Sequence, residues 1–240
     1  FPHSRVVFTC SDRYSLLPEL LRRLLRPLLV ANSKSTEEAI NLGVRFFQDH
    51  LDSLPSMSRN PYDWVADQII HPWTHINWEF SILDAIEIAQ SFNFAFNGSS
   101  PAFFSDWSWY KEADDNCSYW NTLATDQWTR QRLCCIDKRL DPCAYNFPKI
   151  NDTLCQDLDL ELVKLNSYVA KVSTSDYHYA SKDIVFLNDL LSAISVSLGK
   201  MNQSYFQETI ASIDDFIMKW PSIVDGDLSI SFDSFHKWFG

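Results

Sequence analysis

The segment D-W-V-A-D-Q-I-I-H-P-W-T-H-I-N-W-E-F (63–80) crowds polar side chains that can do chemistry among large aromatic rings. Its first half predicts a short helix that ends at His71, because the proline at position 72 disfavours a helical conformation in the residue before it. Asp67 and His71 are four residues apart, so a helical turn would place them on the same face. A carboxylate beside an imidazole raises the basicity of the imidazole and can fix its tautomer.

The next segment, S-I-L-D-A-I-E-I-A-Q-S-F-N-F-A-F-N-G (81–98), predicts a helix followed by a strand. Ser81 and Asp84 have the spacing of a helix N-cap. The phenylalanines of F-N-F-A-F (92–96) alternate with smaller residues, as in a half-buried strand, and N-G is a turn signal. We therefore predict a helix-strand unit near 81–98.

The remainder of the chain has mainly helical patterns, so the predicted fold class is predominantly α with a small α/β portion. We expect three parts: a mixed segment (1–111), an irregular cysteine-containing linker or lid (112–157) and a helical segment that ends in a possible short hairpin (158–240). Within them, helices are predicted over 121–138, 158–172, 181–199 and 203–219, the last one stopped by W-P at 220–221.

A leucine-rich segment near the start, R-Y-S-L-L-P-E-L-L-R-R-L-L-R-P-L-L-V-A (13–31), predicts one amphipathic helix or two short ones, with Pro27 marking a break. Arg22, Arg23 and Arg26 form the one basic cluster on this segment. They could contact an anionic lipid, a phosphate or an acidic partner, but a solvated helix face is the favoured interpretation.

Composition excludes several classes of function. The net charge of −11 argues against a nucleic-acid partner, since neutralising phosphates needs clustered Lys and Arg. No apolar run approaches the ~18 residues that span a bilayer, so no transmembrane segment is expected. The six cysteines include no C-x-x-C pair, which makes zinc a weak proposal, and we favour reduced or structural cysteines.

The pattern W-x-x-D-Q-x-x-H-P, formed by Trp64, Asp67, Gln68, His71 and Pro72, resembles a segment of class I S-adenosylmethionine-dependent methyltransferases. In that family it follows the cofactor-binding core and precedes a helix and a strand. The resemblance covers residues 1–111. It implies relatedness to the C-terminal, substrate-side portion of such an enzyme, with S-adenosylmethionine as the cofactor and a small molecule as the substrate.

The chain has only five glycines and no G-x-G, whereas a nucleoside cofactor needs close backbone approach at a tight glycine turn. We therefore expect no cofactor to be bound by this chain alone. Activity would require a cofactor-binding domain supplied elsewhere.

The candidate catalytic residues are His71, as a general base, and Asp67, which would orient it. The candidate substrate-binding residues are Gln68, Trp73, His75 and Trp78. A local role for His71 at the helix end is an open alternative, and so is core packing for the tryptophans.

A second hypothesis makes the chain a non-enzymatic helical interaction subunit of a larger protein assembly, with an acidic surface and a protein partner. The expected location is cytoplasmic or organellar. Four N-x-S/T sequons and an even cysteine count leave a secreted, disulfide-bonded protein as a lower-ranked alternative.

Overall fold

Helices make up most of the described part of the structure, a computed structural model that describes residues 6–7, 12–53, 59–71, 80–98, 117–137, 139–140, 152–173 and 177–229. The predominantly α prediction is confirmed within these residues. In chain order the helices are α1 (Leu17–Arg23), α2 (Arg26–Ala31), α3 (Thr36–Phe46), α4 (Gln48–Asp52), α5 (Pro61–Val65), α6 (Ile82–Ser91), α7 (Cys117–Gln131), α8 (Asp152–Val172), α9 (Ser181–Asn202) and α10 (Gln207–Val224). A 3₁₀ turn (Arg13–Leu16) precedes α1, a π-helical turn (Ala66–Ile70) follows α5, and a second 3₁₀ turn (Arg132–Ile136) follows α7.

The leucine-rich segment forms two short helices, which is one of the two forms that its sequence predicts. Pro27 lies in the first turn of α2, where a missing backbone N–H removes no helical hydrogen bond. The segment buries seven leucines: Leu17, Leu20, Leu21, Leu24, Leu25, Leu28 and Leu29. They belong to the same core as the apolar faces of α8, α9 and α10, so a single core joins the first and last parts of the chain. The predicted boundaries of the three parts stay a prediction.

Helix α9 is the central helix of the C-terminal half, since it packs against both α8 and α10. Within the described residues it is the one helix long and apolar enough to cross a membrane by length and composition. Its inner face is already occupied in the core by Leu187, Leu190, Leu191, Ile194 and Leu198. A core helix of a folded bundle is buried in this way. Helix α9 is therefore not a firm candidate for a membrane span.

Two helices continue beyond their predicted C-terminal ends. Helix α9 continues past Gly199 to Asn202, and α10 continues through Pro221 to Val224. Proline removes one helical hydrogen bond, but the last turn of α10 still closes with a bond from the Asp225 N–H to the Pro221 carbonyl (3.0 Å). Burial of the side chains on either side of Pro221, Trp220 and Ile223, holds this turn in the core.

The predicted helix at 82–91 is confirmed, with a reciprocal capping box at its start. Ser81 Oγ accepts from the Asp84 N–H (3.1 Å), and the Asp84 carboxylate accepts from the Ser81 N–H (2.8 Å). The helix ends at Phe92, where Asn93 takes a left-handed conformation (φ 58°).

The strand predicted to follow α6 is not formed in the described residues, where 94–98 run without regular structure. The buried side chain of Asn121 on α7 takes the place of a partner strand. Its Nδ2 donates to the Phe94 carbonyl (2.9 Å), and its Oδ1 accepts from the Phe96 N–H (2.7 Å). One amide therefore satisfies the backbone groups that a β ladder would pair. Of the predicted terminal hairpin, residues 230–240 lie outside the described residues, and the D-G turn has Gly226 at φ +100°.

Gly43 on α3 is required by a close approach of α3 to α5. A Cβ built there would lie 2.6 Å from Val65 Cγ1 and 3.3 Å from Leu29 Cδ1. Overpacking of this kind lowers the free energy of unfolding by about 1–3 kcal/mol. Replacing a helical glycine by alanine otherwise raises it by about 1 kcal/mol. We expect Gly43→Ala to lower the free energy of unfolding, measured by urea denaturation, by about 1 kcal/mol.

Gly199→Ala is the matched control for this prediction. A Cβ at Gly199 meets only Ile210 Cδ1, at an ordinary 3.8 Å, so this variant should be stabilised by up to about 1 kcal/mol. Equal stabilisation of both variants would show that α3 and α5 do not pack as closely as described.

Candidate functional site

The sequence-predicted site lies on the π-helical turn that follows α5. Asp67 and Gln68 are in the turn, and His71 is the first residue after it. The turn closes with a bond from the His71 N–H to the Ala66 carbonyl (2.7 Å), one residue further back than in an α-helix. Such turns are rare and occur frequently at functional sites. The helix ends at His71 as predicted, but its last turn is wider than expected.

The polar side chains of this turn face outward. Asp67 is half-buried and forms an ion pair with Arg59, with 2.6 Å between Oδ2 and Nη1. Gln68 is half-buried, and the His71 side chain is exposed. The Asp67 carboxylate is therefore engaged by an arginine, and its predicted role in orienting His71 stays a prediction. Trp73, His75 and Trp78 lie outside the described residues.

Trp64, the first residue of the W-x-x-D-Q pattern, packs inward from α5. Its ring contacts Phe47 edge-on (centroids 5.6 Å apart) and His50 (5.5 Å). The guanidinium of Arg22 lies over the same ring, 5.4 Å from its centroid. Burial lowers the pKa of Arg22 to about 10, and Glu19 opposes that shift. This tryptophan is therefore a packing residue that fixes α5 against the N-terminal helices.

The basic cluster does not form a solvated helix face, so the favoured interpretation of Arg22, Arg23 and Arg26 is wrong. Arg22 packs on Trp64, and Arg23 is buried and paired with Glu19. Arg26 donates from Nε to the Ile70 carbonyl (2.8 Å) and from Nη1 to the Ser173 carbonyl (2.6 Å). Burial lowers the pKa of all three guanidinium groups. The cluster is structural and holds the end of the π-helical turn.

A second polar site, which the sequence did not predict, lies where the two 3₁₀ turns meet α8. Asp12 is buried and caps the first turn by accepting from the Tyr14 N–H (3.2 Å). Burial raises the pKa of Asp12, while that backbone bond and the nearby Arg132 lower it. The net direction is upward, which favours the protonated acid.

Tyr14 and Arg132 form the centre of this second site. The Arg132 guanidinium lies over the Tyr14 ring, 5.2 Å from its centroid. The Tyr14 hydroxyl is buried beside Asp159 without a hydrogen bond of ordinary geometry. Burial raises the pKa of this hydroxyl above its usual range. The site thus packs the half-buried Arg132 against a buried phenol and a buried carboxyl group.

Three cysteines border this second site: Cys134, Cys135 and Cys155. Burial, reinforced by Asp12 and Cys134, raises the pKa of Cys135 to about 12, so this thiol stays protonated and is a poor nucleophile at neutral pH. The Cys134 sulfur and the Tyr205 hydroxyl are hydrogen-bonded at 3.2 Å. The grouping of cysteines was the only sequence signal for this region.

In the part of the chain that the structure describes, no group of three or more His, Cys, Asp or Glu side chains is placed to hold a metal ion. The π-helical turn offers an exposed imidazole and an amide at the surface. The second site offers a buried carboxyl group, a buried phenol and a half-buried guanidinium.

Comparison of the chain with known protein families, with curated proteins and with solved structures found no match. The geometry of the described residues is therefore the basis for the function considered next.

Proposed function

We propose that this chain is a non-enzymatic helical interaction subunit, which binds a partner protein through the outer face of α9. That face is the stripe of Val185, Asp189, Ser192 and Val196, with Phe186 beside it. The four stripe positions lie within about one sixth of a turn of one another at 100° per residue, and Phe186 lies at the edge.

The observation that carries the proposal is that three large apolar side chains of α9 are exposed. Val185 is 59% exposed, Phe186 46% and Val196 54%. They share the outer side of the helix with the charged or polar residues Lys182, Asp189, Ser192 and Lys200. Exposed apolar patches on a folded domain mark surfaces that bind other molecules. A partner covering the outer face would complete the burial of α9.

The experiment compares partners recovered from source cells by the tagged full chain and by two variants. Val185→Glu/Val196→Glu places charges on the outer face, and Met218→Glu places one on α10, where Met218 is 70% exposed. We expect a partner present in near-stoichiometric amounts to fall at least about tenfold with the first variant, because a buried unpaired charge costs several kcal/mol. Its recovery should not change with Met218→Glu.

Circular dichroism and the unfolding midpoint establish that both variants are folded. The proposal fails if the partners recovered by the outer-face variant match those of the wild type in identity and amount.

A second candidate function is a methyltransferase-like protein, related to the substrate-binding part of class I S-adenosylmethionine-dependent enzymes. It is favoured by the π-helical turn at Asp67 and Gln68, because such turns are frequent at functional sites. Calorimetric titration with S-adenosylmethionine of the full chain together with the protein that copurifies with it distinguishes the two. Micromolar binding to that complex would favour the methyltransferase-like protein, whose cofactor-binding domain is supplied elsewhere, and an interaction subunit should give no heat. The substrate and the cytoplasmic or organellar location stay predictions.

A further inference from the structure

We propose that Asn202, in the turn between α9 and α10, is a site of N-linked glycosylation. Four asparagines of the chain begin an N-x-S/T sequon, and the proposed function uses none of them. A sequon marks an acceptor for a bulky, solubilising sugar at the surface of a secreted protein. Thirteen asparagines in a chain in which 37 of 240 residues are Ser or Thr give about two sequons by chance, so the motif needs the support of the structure.

Two of the four acceptor asparagines belong to the described residues, and both lie outside the core. Asn202 is the last residue of α9 and is half-buried, and the next two residues, Gln203 and Ser204, are exposed. Asn97 is exposed too, and a Cβ built on Gly98 beside it would meet no atom within 4 Å. A sugar attached at either position would therefore extend into water and displace no packed side chain.

The sequon of Asn202 forms a hydrogen-bonded turn of its own. Ser204 Oγ donates to Asn202 Oδ1 (3.0 Å), and the Tyr205 N–H donates to the same oxygen (3.1 Å). Turns of this kind form between close neighbours in the sequence, without help from the rest of the fold. The hydroxyl that defines the motif therefore lies beside the acceptor amide, in a conformation that is open to the chain during synthesis.

The transfer itself uses the nitrogen of the Asn202 amide. Nδ2 forms a bond to the anomeric carbon of an oligosaccharide carried on a polyprenyl diphosphate, and the bond from that carbon to the diphosphate breaks. The diphosphate leaves with the bonding electron pair, and Nδ2 loses one of its two protons. Oδ1 keeps both lone pairs, so it can still accept from Ser204 and Tyr205. The folded turn is therefore compatible with the modified side chain.

A glycan on Asn202 would leave the outer face of α9 open to a partner. Asn202 is six residues beyond Val196, or about 9 Å along the helix, and about one third of a turn away from the stripe. The inference thus goes beyond the proposed function and does not depend on it. It requires that the chain passes through the secretory pathway, the compartment that its even number of cysteines also allows.

Peptide mapping of the full chain purified from its source cells tests the site. Trypsin cleaves after Lys200 and Lys219, and the peptide between them (201–219) has Asn202 as its one asparagine. Enzymatic release of N-glycans in heavy-oxygen water converts a glycosylated asparagine to a labelled aspartate. We expect this label in the 201–219 peptide of the wild type, and none when the releasing enzyme is omitted.

Two substitutions at Ser204 separate glycosylation from any other reaction of the amide. Ser204→Ala removes the hydroxyl and should abolish the label, whereas Ser204→Thr keeps a hydroxyl and should retain it. Circular dichroism establishes that both variants are folded. The inference is overturned if the wild-type peptide carries no label, or if Ser204→Ala is labelled as strongly as the wild type. Should Ser204→Ala not fold, the wild-type and Ser204→Thr peptides still decide, because both must carry the label.

Discussion

Replacing Asp137 by alanine should lower the free energy of unfolding by about 3–5 kcal/mol, the largest effect we expect from any single substitution here. Asp137 has no exposed surface. Its carboxylate accepts from the Arg139 backbone N–H (2.9 Å), from the Arg139 guanidinium (2.5 Å at the closest) and from the Thr209 hydroxyl (2.7 Å). Alanine removes every one of these acceptors and leaves the mostly buried Arg139 guanidinium with only the exposed Glu208 carboxylate, 3.5 Å away, as a counter-charge.

Urea denaturation of four proteins measures this effect: the wild type and the variants Asp137→Ala, Thr209→Val and Asp214→Ala. Thr209→Val removes one donor to the carboxylate and should cost about 1 kcal/mol. Asp214 is an exposed acid on α10, so Asp214→Ala should change stability by no more than about 0.5 kcal/mol. If Asp137→Ala proved as mild as Asp214→Ala, the carboxylate would not hold the second 3₁₀ turn against α10.

The Asp137 network illustrates a limit of prediction from sequence. The run D-K-R at 137–139 looks like ordinary surface charge, and the threonine that completes the network is 72 residues further along the chain. Only the tertiary fold brings α10 over this turn. The cluster of Asp12, Tyr14 and Arg132 was unpredictable for the same reason, since its members come from distant parts of the sequence.

Features that depend on neighbouring residues were predicted well. The capping box of Ser81 and Asp84 formed as expected, because both partners lie within one helical turn. At the start of α3, Ser35 Oγ likewise accepts from the Glu38 N–H (3.1 Å), and these two residues also lie within one helical turn. The end of the helix at His71 followed from the local conformational restriction that Pro72 imposes.

The predicted strand is wrong because the alternation in F-N-F-A-F does not show which groups hydrogen-bond to its backbone. The side chain of Asn121, on another helix and 25 residues away from Phe96, forms these hydrogen bonds. The wrong helix end at Pro221 has a similar origin, because burial of Trp220 and Ile223 outweighs the missing hydrogen bond. For the candidate site, sequence identified Asp67 and Gln68 but not the π-helical form of their turn.

The second large effect on stability is expected from a substitution at Arg26, in the basic cluster. Arg26→Met should lower the free energy of unfolding by about 2–3 kcal/mol, because it removes two hydrogen bonds in which the donor is charged. One accepting carbonyl belongs to Ile70 at the end of the π-helical turn, and the other to Ser173 just after α8. Carbonyls at a helix end have no partner within their own helix, and the helix dipole there favours a cation.

Hydrogen exchange shows where the Arg26→Met loss acts. Protection of the amides in the π-helical turn and in the last turn of α8 should fall more than protection in α10, which Arg26 does not contact through either bond. Arg26→Lys should recover only part of the stability, because a single ammonium does not reproduce the fork that reaches both carbonyls. Arg130→Met removes an equal charge from an exposed position on α7 and should be nearly neutral. If Arg26→Met and Arg130→Met proved equally stable, Arg26 would belong to a solvated helix face, as its sequence indicates.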